Sequence, residues 1–371
     1  MVRITNLQIY CLLMLTTAPL AYLAAPMVAI HTISSSAWLA TLAAIIPGAL
    51  LIYIYLYILK KSSRPFPACL EDCLGKVLGK TLGFLYILIF FWGIAFTLQY
   101  FIALIGSSIV PDTPLSVYIG AMLLTSYYAL KTGLQNIARI SQILIIYGFP
   151  FAFLAVFISL AQNYDISGLL PLFSTSFKDF GQGVFISFVF LGDLIGILVL
   201  AFFSTHREEV PRTLYYVLYT YIALITLTAL ASSMEFGTEY TNLIAFPAFK
   251  LVRYITISDF IKNIDAAFIA LWIIGIFGAI TVKWFLACYT IQQVFNLKDY
   301  KFIAAPSSVA LGIISLAMGK NIIALQVIVH DILPVIYGAF YIVVPLIVFG
   351  VLLFKPNPAV DAASGLKSPS A

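Results

Sequence analysis

Apolar runs of about 20 residues recur along almost the whole chain, separated by short polar stretches. A helix needs about that many residues to cross a bilayer core about 30 Å thick. Marking each run by what ends it predicts ten membrane-spanning helices, at 7–30, 37–59, 82–108, 114–130, 137–160, 184–205, 213–232, 266–289, 302–317 and 332–354. The expected fold class is all-α, a polytopic membrane protein with a single transmembrane domain over 1–354. The stretch 355–371, rich in Pro, Ser and Ala, reads as a disordered tail.

The runs divide near residue 170 into two halves of five, 7–160 and 184–354, so the second half enters the membrane from the opposite side. Five spans followed by five inverted ones is a repeat plan used by many transporters, in which the first helix of each half is broken at mid-membrane and lines the binding site. Pro19 and Pro26 in the first span, and Gly192, Asp193 and Gly196 in the sixth, are helix breakers in corresponding places. Helices 1 and 6 are therefore expected to be broken. Ordinary kinks are the other reading, since a proline removes one internal hydrogen bond that neighbouring groups then replace.

Composition agrees with the span count. Of 371 residues 62% are hydrophobic and 9% charged, against about 25% charged in soluble domains, and mean hydropathy is +1.05. The net charge of +5 is no sign of nucleic acid, because the basic residues sit in short loops between apolar runs. Fourteen of the 20 Lys and Arg residues fall on the side of the N-terminus and five on the other, with Lys283 inside a span. That imbalance places both termini in the cytoplasm, as an even number of spans requires. The N-terminal run ends near Ala24 and Ala25 like a secretion signal, but it is longer than a signal core and holds two prolines, so it reads as the first span. Four cysteines include Cys69 and Cys73 in one loop, a lone C-x3-C that cannot close a four-coordinate zinc site; they read as free thiols.

Candidate chemistry is sparse. Asp193 lies halfway along the sixth span, where a carboxylate costs about 2.5–3.5 kcal/mol on insertion scales. It either makes a structural hydrogen bond to a nearby helix or lines a ligand cavity, meeting a ligand amine or exchanging a proton. Lys283, near the inner end of the eighth span, has two readings. Its stem lifts the ammonium to the interface, or the ammonium points inward, standing in for a cation or coupling a proton. Gln99 and Tyr100, beside Thr97, need partners inside the third span, by helix-to-helix bonding or ligand contact. Tyr22 and Phe190 flank the two breaks. The candidate ligand-binding set is thus Thr17, Pro19, Tyr22, Gln99, Tyr100, Phe190, Gly192 and Asp193.

Residues 65–80 put Leu70, Cys73, Leu74, Val77 and Leu78 on one helical face, a segment for the membrane surface or another protein. The long outer loop 233–265 holds a helix-like stretch at 248–254. Signals of catalysis are missing: His206-Arg207-Glu208-Glu209 is not H-E-x-x-H, His31 and His330 fall in outer loops far apart, and no cofactor motif occurs.

Several short motifs stand in a fixed order: Ile4-Thr5-Asn6-Leu7-Gln8, Ala37-Trp38-Leu39, Pro111-Asp112-Thr113-Pro114-Leu115, Gly133 with Ala138-Arg139, Leu169-Leu170-Pro171, Gly192-Asp193, Phe246-Pro247, the stretch from Phe260 to Asp265 leading to Trp272, and Lys283. In this order the chain resembles the B subunits of bacterial spore germinant receptors, a branch of the amino acid, polyamine and organocation transporter superfamily. The resemblance runs from about Ile4 to Phe354. It implies a LeuT-like fold, a place in the inner membrane of spores, and a complex with an A subunit and a C-subunit lipoprotein. It also implies binding of a small germinant, commonly an amino acid. Lys283 then falls where related transporters hold sodium between helices 1 and 8. The chain departs from that pattern twice, with Thr16-Thr17-Ala18-Pro19 in place of a glycine pair and Asp193 where glutamate is commoner.

The function expected on these grounds is germinant sensing between helices 1 and 6, with a signal passed to partner subunits. Two rival functions stay open on the sequence, a proton-coupled amino acid transporter and an ion-conducting component.

Overall fold

The computed structural model describes residues 2–108, 113–162, 165–170, 175–241, 244, 246–255, 264–318 and 322–354. Motif residues 111–112, 171 and 260–263, basic residues Lys262 and Lys320, and the tail 355–371 lie outside the described residues. Among those described, the regular secondary structure is helical apart from one isolated bridge between Ile4 and Ser204.

The helices are α1 (Asn6–Ile33), α2 (Ala37–Ala43), α3 (Ile45–Lys61), α4 (Phe66–Leu74), α5 (Lys76–Ser108), α6 (Leu115–Thr132), α7 (Leu134–Gln162), α8 (Phe177–Val189) and α9 (Ile197–Leu200). There follow α10 (Val210–Thr241), α11 (Pro247–Tyr254), α12 (Ile264–Val294), α13 (Ala304–Ala317), α14 (Ile322–Val327), α15 (Leu333–Tyr337) and α16 (Val344–Phe354). Among the described residues, eight helical stretches are long and apolar enough to cross a bilayer. The first, Asn6–Lys61, has 56 residues, more than twice what one crossing needs. It is interrupted at Ser34, whose φ of 49° a right-handed helix does not tolerate, which leaves two segments each long enough for one crossing. With α6, shorter and richer in Ser, Thr and Tyr, the helices account for the ten crossings expected.

α1 sits at the centre. Apart from half-buried Pro19 it is buried on every side from Cys11 to Ile30, and it packs against α7, α8, α10 and α12. A helix apolar all round belongs inside a bundle. Its start is secured by the first motif. Thr5 Oγ1 accepts from Gln8 N at 3.2 Å and Gln8 Oε1 accepts from Thr5 N at 3.0 Å, a reciprocal capping box. Replacing Thr5 with Ala is expected to cost about 1 kcal/mol of stability, read as a lower melting temperature in detergent.

The expected break of helix 1 does not occur: α1 stays helical through Pro19 and Pro26. Each proline deletes one hydrogen bond, and without a glycine pair the backbone keeps its right-handed course. Thr16 and Thr17 turn their hydroxyls back onto the Leu13 carbonyl, at 2.8 and 2.9 Å. Helix 6 does lose its regular α form, but by tightening rather than unwinding. Between α8 and α9 the seven residues Phe190–Gly196 form a 3-10 helix, with right-handed dihedrals at Phe190 on entry and at Ile197 on exit. Runs of that geometry beyond three or four residues are uncommon and mark hinges or strain.

Three other expectations change. Gly75, with φ of 85°, ends α4, so Val77 and Leu78 belong to α5 and are exposed, while the buried face of α4 is Phe66 to Leu70. On α4, Cys69 and Cys73 are free thiols with sulfurs 3.8 Å apart. Their shared hydrogen bond, with burial, pushes the Cys69 thiol up. His31 lies in the last turn of α1, and the final span begins before 332, putting His330 inside a π-helical stretch, Ile328–Ile332.

One face of the bundle gathers the predicted inner loops. Arg3 donates to the Ser204 carbonyl at 2.7 Å, Asn6 Nδ2 to the His206 carbonyl at 2.7 Å, and Arg207 to the Leu59 carbonyl at 2.8 Å. The N-terminus, the end of α3 and the start of α10 thus lie together, as the clustering of basic residues requires. On the outer-loop side, α11 packs over α1, α7, α10 and α12, and Lys250 Nζ lies 4.4 Å from the centre of the Tyr240 ring.

Candidate functional site

Asp193 stands in the 3-10 stretch of helix 6 and Lys283 on α12. Asp193 Oδ2 and Lys283 Nζ are 2.8 Å apart, with side chains 6% and 3% exposed. The Lys283 ammonium therefore points inward and not to the interface. Each charge lies where water cannot reach, so each depends on the other. A buried pair contributes little net stability, whereas removing one member costs about 3–5 kcal/mol. The ammonium forms the ion pair but no aligned hydrogen bond among the described residues.

Tyrosines gather around the pair, two of them, Tyr337 and Tyr341, on the last helical stretch and the others on neighbouring helices. Between α15 and α16 the chain widens into a π-helix, Gly338–Val343, packed against the 3-10 stretch. Overwound and underwound turns thus lie in contact. A π-turn leaves a carbonyl without its usual partner, and two hydroxyls from other helices supply one. Tyr55 donates to the Tyr341 carbonyl at 2.6 Å, and Tyr86 donates to the Phe340 carbonyl. Tyr221 of α10 donates to the Ser187 carbonyl at 2.9 Å, tying α8 in place. Tyr337 lies beside Asp193, its hydroxyl buried without an aligned partner. Gly192 is glycine for space: a Cβ there would lie 2.7 Å from Tyr341 Cδ2.

The remaining predicted residues do not converge on this pair. Gln99 Nε2 donates to the Ser315 carbonyl of α13, the helix-to-helix alternative. Tyr100 is buried between Phe96 and Phe246, with ring centroids at 6.1 and 5.5 Å. Phe190 is buried at the start of the 3-10 stretch. Thr17 is occupied with its own helix. Pro19 and Tyr22 instead line a separate apolar cavity of about 70 Å³ with Leu15, Gly148, Trp272 and Gly275. There the Trp272 indole donates to the Pro19 carbonyl at 2.8 Å. No group of three or more His, Cys, Asp or Glu side chains comes together among the described residues.

Sequence reasoning missed Tyr55, Tyr86, Tyr221, Tyr337 and Tyr341. With 22 tyrosines in the chain, no single one stands out. The signal that existed was Tyr337-Gly338 with Tyr341, two hydroxyl-bearing rings one turn apart around a glycine inside a span.

Residues 3–323 match the family model of spore germination proteins. Putative spore germination protein YfkT of Bacillus subtilis (strain 168) is 25% identical over 287 residues, covering 76% of this chain and 78% of its own length. Spore germination protein KB of the same organism is 23% identical over 292 residues, 77% of this chain and 78% of its own. Among solved structures, the nucleobase-cation-symport-1 family transporter Mhp1, in a closed conformation with bromovinylhydantoin bound, is similar. Its TM-score is 0.57 at 12% identity, covering 88% of this chain and 75% of Mhp1. At that identity the likeness concerns the fold, which is LeuT-like.

Proposed function

The chain belongs to the spore germination protein family, and from that premise we propose that it is the ligand-sensing, permease-like subunit of a spore germination receptor. It is a multi-pass membrane protein with a transporter fold; its place is the inner membrane of the spore, with both termini cytoplasmic. It binds a small germinant, an amino acid, and signals to an A-type subunit and a C-type lipoprotein.

The observation that supports this reading is the buried Asp193–Lys283 pair at the contact of a 3-10 and a π segment. Both segments are alternatives to α-helix, so the pair clamps a two-state element. Returning seven 3-10 residues to α would shorten helix 6 by about 3.5 Å. A ligand can bias that change only through a difference in affinity for the two states, and a group contacting Asp193 supplies one. The binding place moves accordingly, from between helices 1 and 6 to between helices 6, 8 and 10.

Asp193→Asn keeps the shape and removes the charge. In spores carrying this variant the germination response at limiting germinant is expected to fall by at least about tenfold, with the protein retained in the membrane. An unchanged dose response would remove Asp193 from the sensing site. The LeuT-like fold favours one second reading, proton-coupled amino acid transport. Accumulation of labelled amino acid in proteoliposomes under a pH gradient would establish it; a sensor shows none.

A further inference from the structure

Two buried donors meet at Asp193 from different helices. The Lys283 ammonium of α12 has three N–H groups and no aligned hydrogen bond. The Tyr337 hydroxyl of α15, wholly buried, has none either, and it touches the space over Gly93 of α5, 3.4 Å from where a Cβ would lie. The neighbouring tyrosines are committed elsewhere: Tyr55, Tyr86 and Tyr221 each spend their hydroxyl on a main-chain carbonyl. Lys283 and Tyr337 are thus the two donors left facing Asp193, and a charged and a neutral donor side by side match the two oxygens of a carboxylate.

We propose that Lys283 and Tyr337 form the carboxylate-binding subsite of the germinant pocket, and that Asp193 is its internal occupant in the resting state. The inference rests on the sensing function proposed above and names its ligand chemistry. The pair is neutral overall, and the site is closed to water. A simple carboxylate would displace Asp193 and leave an unpaired negative charge buried, and a simple amine would leave the ammonium of Lys283 unpaired. A zwitterion exchanges one ion pair for two: its carboxylate takes Lys283 and Tyr337, its ammonium takes Asp193. Net charge inside the site is unchanged, and Asp193 is drawn off Lys283 together with the 3-10 stretch that carries it.

The test uses the full-length protein in lipid nanodiscs. The 20 common L-amino acids are titrated one at a time by calorimetry, and the tightest binder is compared with its α-amide, which keeps the ammonium and lacks the carboxylate. Wild type is expected to prefer the acid by about tenfold or more, the scale of one hydrogen bond to a charged group. Tyr337→Phe removes only a hydroxyl that lies beside Asp193 without an aligned hydrogen bond, and leaves the Asp193–Lys283 ion pair in place, so its melting temperature should stay close to wild type. It should bind the acid about tenfold more weakly and the amide unchanged, so that the preference collapses. Equal binding of acid and amide by wild type, or a Tyr337→Phe variant that keeps its preference or weakens both ligands alike, overturns the subsite. If no amino acid binds wild type, amino-acid sensing falls and the subsite with it; if acids bind but Tyr337→Phe changes nothing, the subsite alone falls.

Discussion

Asp193→Ala should destabilise the protein by about 3–5 kcal/mol, the cost of leaving a buried charge without its partner. The Lys283 side chain is 3% exposed and cannot reach water without moving α12. Lys283→Met should be comparably harmful, because it strands the carboxylate of Asp193. The double variant Asp193→Ala/Lys283→Met should recover most of the loss, since an apolar pair of similar volume is often as stable as a buried ion pair. Denaturation of the four proteins in one detergent checks this as a double-mutant cycle, in which a large coupling energy is expected. Additive single effects would mean that the two side chains do not depend on each other. The double variant should be folded and unresponsive to germinant, separating the pair's part in signalling from its part in stability.

Gly192→Val should cost about 1–3 kcal/mol by overpacking. Its Cβ would fall 2.7 Å from Tyr341 Cδ2 and 2.9 Å from Tyr341 Cβ. The ring cannot easily withdraw, because Tyr55 holds the carbonyl of the same residue. Helix 6 and the π-turn must therefore separate, and the germinant response should fall with the melting temperature. Gly148→Ala in α7 is the control. No atom lies within 4 Å of its added Cβ, so it should be neutral or slightly stabilising, as Ala generally is over Gly in a helix. Equal melting temperatures for Gly192→Val and wild type would show that Gly192 does not mark a close approach.

Much of the site was visible one residue at a time. Asp193 and Lys283 stood out because a charge inside an apolar run is costly, and that cost is a property of composition and depth. Their partnership was not visible, because they lie 90 positions apart and their meeting depends on how helices 6 and 8 pack. Gln99 needs a partner wherever it lies inside a span, but the identity of that partner, the Ser315 carbonyl, follows from α5 lying beside α13. The prolines of α1 point to a break because each removes a hydrogen bond; whether the helix then opens depends on packing, and here α1 is enclosed by α7, α8, α10 and α12 and stays helical.

What the amino-acid order determined by itself is the set of local and solvent-driven properties: which stretches cross the membrane, which loops share a side, and which charges must be sheltered. Each follows from transferring residues between water and lipid, a sum that needs no knowledge of neighbours. What the tertiary structure alone decided is how the sheltered groups are satisfied. The tightening of Phe190–Gly196, the widening of Gly338–Val343 and the tyrosine hydroxyls between them exist only where five helices meet. Hydrogen bonds and close contacts fade within a few ångströms, so the residues that complete such a site are chosen by packing and leave almost no trace in sequence spacing.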